Sequence, residues 1–190
     1  KSQSLLLECG CFYAGSGHWH QGVKYLDSAL EKSGRLKKKD LARAYYHRGL
    51  CREGLGDLQI AFKDLQQAIE MGKPGSALLS AYGRVAYTIQ AWPEVIKYGL
   101  MMLDLHGENM PSSDKAEVWF RIGLAYEFTA EPSKASESFQ KTLKEVPGHQ
   151  AATDALKGQI EKPQRASDAV ATLGLENPEL DEVVVVAPDD

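Results

Sequence analysis

The stretch VWFRIGLAY, residues 118–126, reads as one face of a helix with a glycine set into it. Trp119, Ile122 and Tyr126 recur at the spacing that places side chains on the same side of a helix. Gly123 interrupts that face, where glycine costs about 1 kcal/mol against alanine. A residue this unfavourable within a helix implies a compensating gain, and the rest of the sequence says where to look for it.

Slid against itself, the sequence repeats with a period of about 34 residues. Gly10, Gly49, Gly83 and Gly123 share a column, followed by columns of Gly22, Ala61, Val95, Ala135 and of Ala29, Ala68, Met102, Thr142. Leu6, Tyr45, Leu79 and Trp119 precede the glycines in phase. The units span 3–36, 42–75, 76–109 and 116–149, with KSGRLKKKD and ENMPSS as insertions. Each breaks into two helices: GD at 56–57 turns the second unit, Pro132 opens the second helix of the fourth, and Pro147-Gly148 closes it. Small residues recur where antiparallel helices approach, so Gly123 is expected to lie near Ala135 of the helix that follows. One hairpin cannot bury its apolar face, whereas a stack shares a continuous core.

These columns resemble the tetratricopeptide repeat (TPR) family. The fourth unit carries Trp119, Ile122, Gly123, Tyr126, Ala135, Phe139 and Pro147; the second carries Tyr45, Gly49, Leu55-Gly56-Asp57, Ala61, Leu65 and Ala68. The third departs at Ala86, where a tyrosine is usual, and at Gly99 and Met102. The resemblance covers roughly residues 3–149. It implies an all-α, right-handed α-solenoid of four helical hairpins. QAATDALKGQIEK (150–162), apolar at Ala152, Leu156 and Ile160, reads as a helix capping the stack. Residues 1–162 then form the repeat domain, and 163–190 an acidic, partly extended tail.

No catalytic constellation emerges, and the chain is not expected to be an enzyme or to carry a cofactor. CGC at 9–11 and HWH at 18–20 suggest zinc ligands. Cys9 and Cys11, two apart on a helix, point about 200° from each other. Cys9 falls in the column of Ile122, so it reads as a small core residue and the histidines as part of a turn. Hence no metal site is expected. GLGD and GSG are hairpin turns rather than phosphate loops. The basic run RLKKKD (35–40) reads as a solvated loop, so no nucleic acid is expected.

In TPR proteins the first helices line a concave groove that holds a peptide. Carried over by column, the resemblance implies a groove of Leu7, Cys11, Arg43, Tyr46, Leu50, Glu53, Ser80, Arg84, Tyr87, Glu117, Phe120, Leu124, Glu127 and Phe128. A TPR subclass that clamps acidic chaperone C-termini uses Lys and Asn where this chain has Leu7, Cys11 and Leu50. The lining suits instead a segment with apolar anchors and a few acids, bound chiefly by aromatics and arginine. The expected role is a protein–protein interaction module, an adaptor or scaffold. Self-assembly with tail exchange between subunits, or service as a regulatory part of a larger enzyme or transport component, are the alternatives.

Charge separates the tail from the body. The net charge is −4 over 190 residues, but 163–190 holds one arginine against seven acids, net −6, which leaves +2 for the body. LGLENPELDEVVVV (173–186) alternates apolar residues with Glu and Asp, the kind of ligand the groove suits. The tail is therefore expected to dock on the repeats of its own or a neighbouring chain. The longest apolar run, VVVVA at 183–187, is far shorter than the about 18 residues of a membrane span. Three cysteines are too few for a disulfide framework, pointing to a reducing, cytoplasmic location, although a start at Lys1 leaves room for a removed leader.

Overall fold

A computed structural model describes residues 2–31, 34 and 36–158. Among these the chain is helical throughout: α1 Gln3–Gly15, α2 Trp19–Leu30, α3 Lys38–Gly54, α4 Leu58–Glu70, α5 Ser76–Thr88, α6 Trp92–His106, a 3-10 turn Gly107–Asn109, α7 Ser112–Phe128, α8 Pro132–Glu145 and α9 Gln150–Leu156. They pair as antiparallel hairpins, α1 with α2, α3 with α4, α5 with α6 and α7 with α8. Each second helix also packs on the first helix of the next hairpin, so the hairpins stack into a helical solenoid.

All four turns are built alike. Gly17, Gly56, Gln90 and Ala130 occupy one column of the repeat and all have positive φ, at 74°, 82°, 59° and 59°. The next residue's N–H reaches back to close the helix end: His18 to Tyr13, Asp57 to Arg52, Ala91 to Ala86 and Glu131 to Tyr126, at 2.8–3.0 Å. That bond and the left-handed residue before it form a Schellman cap. A side chain in the left-handed region costs about 1–2 kcal/mol, which glycine avoids at the expense of unfolded-state entropy. Ala130→Gly is therefore expected to stabilise the chain by about 0.5 kcal/mol, read as a rise in the urea midpoint.

The glycine columns explain the packing within hairpins. A Cβ added at Gly123 would sit 2.5 Å from Cε1 and 2.7 Å from Cδ1 of Phe139, so the side chain that uses the space is Phe139. Gly49 receives Leu65 and Gly10 receives Leu26 in the same way. Leu26 and Leu65 are wholly buried and Phe139 is nearly so. Burial of each such side chain is worth roughly 1.5–3 kcal/mol, more than the propensity lost at the glycine.

The sequence placed some positions differently. Trp119 is only half buried, with Lys141 Nζ 4.3 Å from its ring centroid. Tyr45 is likewise half buried beneath Arg48. Cys9 is partly exposed, whereas Cys11 is buried. The capping helix ends at Leu156, with Gly158 at φ +70°, earlier than the expected 162. Ala152 and Ala155 on α9 are buried at the end of the stack. Residues 159–162 and the tail 163–190 lie outside the described residues.

Candidate functional site

First helices touch across neighbouring hairpins, α1 against α3 and α3 against α5, with no second-helix pair in comparable contact. Helices α1, α3 and α5 thus form the inner side of the stack, and Arg121 of α7, 5.9 Å from the Tyr87 ring centroid on α5, continues it. Of the residues assigned to this side, Arg43, Ser80 and Glu117 are exposed. Tyr46, Leu50, Glu53, Arg84, Tyr87, Phe120, Glu127 and Phe128 are half buried. Leu7, Cys11 and Leu124 are buried and form the floor beneath that side.

The two arginines already hold carboxylates. Arg43 Nη1 and Nη2 donate to Glu8 Oε1 and Oε2 at 2.6 and 2.9 Å, tying α3 to α1. Arg84 Nε and Nη2 donate to Glu53 at 2.6 and 2.8 Å, tying α5 to α3. The bond to Arg43 holds the Glu8 carboxyl below the ordinary range, and the bond to Glu53 lifts Arg84 above its own. Bidentate pairs of this kind are geometrically specific. A ligand acid would have to share these arginines with Glu8 and Glu53 or displace them.

Several aromatics expected in the groove also hold hairpins together. Phe128 stacks on Trp92 of α6 with centroids 4.3 Å apart and planes at 5°. Tyr87 meets the same indole edge-on at 5.5 Å. Phe120 lies against Phe139 at 5.7 Å and His149 at 4.9 Å. Burial raises the pKa of Tyr46 and of Tyr87, as an apolar setting does to a phenol.

Between α5 and α7 the pattern of ties changes. No carboxylate bridge joins these helices among the described residues; Arg121 lies 5.9 Å from the Tyr87 centroid, and its Nε donates to Glu117 on its own helix at 2.8 Å. Beside it is a cavity of about 50 Å³, with Gly83, Gly99, Met102 and Val118 in its wall. It shares Ser80 and Met102 with a wider cleft of about 340 Å³ that runs towards His106, Met110 and Asp114. The gap has a clear origin. In the other hairpins Leu26, Leu65 and Phe139 fill the space over the column glycine; here the matching residue is Gly99 and nothing lies within 4 Å of a Cβ at Gly83. Gly99 is needed where it stands, since its Cβ would meet Ile122 at 2.8 Å. Ser80 also replaces the bulk of Leu7, Tyr46 and Phe120 in its column. Comparing columns between units would have exposed this gap, because all three small residues fall in one repeat.

Two charged features were not foreseen. Arg48 holds Asp64 through Nε and Nη2 at 2.8 and 2.7 Å and reaches Asp27 with Nη1 at 2.7 Å. Asp64 is 4% exposed, and Arg52 also approaches both acids. This cluster ties α2 and α4 to α3 on the side away from the inner row. Nothing in the periodicity marks it, because charge pairing across hairpins depends on tertiary placement.

The second is His47 on α3, whose buried Nδ1 finds no hydrogen-bond partner among the described residues. Burial pushes its pKa down, and Arg43 adds to the effect while Glu8 opposes it. The unfolded chain takes up a proton near pH about 6.5 that the folded chain declines. Stability is therefore full above that pH and falls as the pH drops through it towards the folded-state pKa. His47→Gln is expected to flatten the decline in melting temperature between about pH 7 and pH 5. An unchanged slope would remove His47 as its source.

The tetratricopeptide repeat model matches residues 42–71 and 116–145, the second and fourth hairpins. Among curated proteins none matches the sequence. Similar solved structures include MamA AMB-1, at 16% identity and TM-score 0.67, covering 91% of this chain and 88% of that one. YrrB, described as a TPR protein with an unusual peptide-binding site, is 20% identical at TM-score 0.64, covering 87% of this chain and 84% of its own. At such identities the likeness shows the fold. No described helix is long and apolar enough to cross a membrane, and no described group of three or more His, Cys, Asp or Glu could hold a metal ion.

Proposed function

Since the chain is a tetratricopeptide repeat protein, we propose that it is a protein–protein interaction module whose inner face binds an extended segment of another polypeptide. The observation that carries this reading is the inner face itself. Tyr46, Leu50 and Tyr87 stay partly open along α3 and α5, and the cleft beyond Ser80 continues the same side. Apolar anchors are the main recognition element, with acids secondary because Arg43 and Arg84 are already engaged. The description of YrrB as peptide-binding supports the assignment by analogy of fold. The chain's own acidic segment is the nearest ligand of this chemistry. Self-assembly is the second reading, favoured by Leu5 and Phe12, which are 53% and 69% exposed on α1.

Panning a random peptide library on the full chain, followed by calorimetry and amide-shift mapping, tests the proposal. Selected peptides are expected to shift amides of α1, α3, α5 and α7. Tyr46→Ser should weaken them about tenfold, or 1.4 kcal/mol. Shifts confined to α2, α4, α6 and α8, or a library that yields no binder, would overturn it.

A further inference from the structure

We propose that the gap between α5, α6 and α7 is an anchor pocket for a leucine of the chain's own segment 173–186, which occupies the place that a repeat residue fills in the other hairpins. The proposal rests on the inner face being a peptide-binding surface and adds which part of it takes the anchor and from where.

The pocket is an apolar hole made by sequence rather than by loose packing. Leu79, Val95, Tyr98 and Met102 in its wall are each at least nine-tenths buried, so the protein is well packed up to the edge of the gap. Its volume of about 50 Å³ exceeds the about 15 Å³ that one water needs, yet its wall offers water few polar partners. A branched aliphatic side chain satisfies such a surface better than water does. In the other hairpins the equivalent filler is Leu26, Leu65 or Phe139, a large apolar side chain in each case, and leucine is the large apolar residue that segment 173–186 offers.

The rim supplies a second selection. Arg43 and Arg84 each give two nitrogens to one carboxylate, whereas Glu117 takes only Nε of Arg121. Arg121 lines the pocket, so an acid next to an inserted leucine would meet its guanidinium. Segment 173–186 holds two such dipeptides, Leu175-Glu176 and Leu180-Asp181.

Reach and concentration allow the contact. The described chain ends at Gly158, and residues 159–190 follow it. The residues between Gly158 and Leu173 can span up to about 50 Å when extended. The pocket lies between the third and fourth hairpins and α9 packs on α8 of the fourth, so about one hairpin separates it from Gly158. Tethering places the segment at about mM effective concentration, so a weak intrinsic affinity suffices. Outside ligands with the same leucine–acid pair would compete for the pocket.

Methyl NMR of the full chain tests this. Combining Leu175→Ser with Leu180→Ser is expected to shift the Val118 and Met102 methyl signals and to narrow the amide lines of 173–186. Gly83→Leu, which puts a leucine of α5 into the gap, should narrow the same amide lines without lowering the melting temperature. Ser80→Tyr serves as the second blocking variant should Gly83→Leu fold poorly. Methyl signals unmoved by the leucine replacements would overturn the proposal. So would shifts that vanish on dilution together with a dimer mass, because the occupant would then be a second copy. If library peptides bind the inner face while the leucine replacements leave the Val118 and Met102 methyl signals of the full chain unmoved, this inference fails and the inner-face reading stands.

Discussion

Asp64→Ala is expected to destabilise the chain by about 3 kcal/mol, which lowers the melting temperature by roughly 6–12 °C for a domain of this size. The loss comes from what remains. Arg48, with its side chain only 16% exposed, would keep its charge after losing two hydrogen bonds to Asp64. Its remaining bond to Asp27 ends on a carboxylate that is 44% exposed and so provides weaker compensation. Breaking one partner of a buried pair commonly costs about 3–5 kcal/mol; partial exposure of the arginine sets this case at the lower end. Replacing both partners, Arg48→Met with Asp64→Leu, should recover most of the loss, since buried pairs exchanged for apolar residues are often neutral. Urea unfolding of the two variants measures both effects. A loss below about 1 kcal/mol for Asp64→Ala would mean that the cluster behaves as a surface ion pair.

The second large effect contrasts two glycines of one column. Gly123→Leu is expected to cost about 1–3 kcal/mol by overpacking against Phe139. The ring lies 2.5–3.0 Å from the position of the new Cβ and is itself 1% exposed, so it has little room to yield. Gly83→Ala should instead stabilise by about 0.5–1 kcal/mol, because it gains helix propensity and its Cβ enters open space. Thermal melts of both variants decide the matter. Equal effects would show that the column is conserved in phase through the repeats for some reason other than the knob that fills it.

This contrast also marks how far the sequence could be read. The hairpins were legible because a column of small residues recurs beside columns of large ones, and that spacing directly reflects helices meeting in pairs. The turns were legible at Gly17 and Gly56, but Gln90 and Ala130 adopt the same left-handed geometry without a glycine to announce it. The residues assigned to the groove were legible as members of the first helices, which touch across hairpins at α1–α3 and α3–α5. Their individual availability was not. Leu7, Cys11 and Leu124 fall below the surface, and Phe128 lies against Trp92, because residues on one helix face divide between neighbours and solvent according to how the next hairpin sits.

What the sequence determined by itself is the repeat: helix pairs, their phase and the glycines that admit a neighbour. These follow from local spacing, which the chain carries in one dimension. What only the tertiary structure decided is which charges meet and where packing fails. Asp27, Arg48, Arg52 and Asp64 come together from three helices. Arg43 and Arg84 find carboxylates on the preceding first helix. The gap at Gly83 exists because Gly99 must yield to Ile122 of the next hairpin, a demand set across the interface between repeats. Pairing and vacancy are properties of side chains brought close from distant positions, so a period along the chain cannot express them.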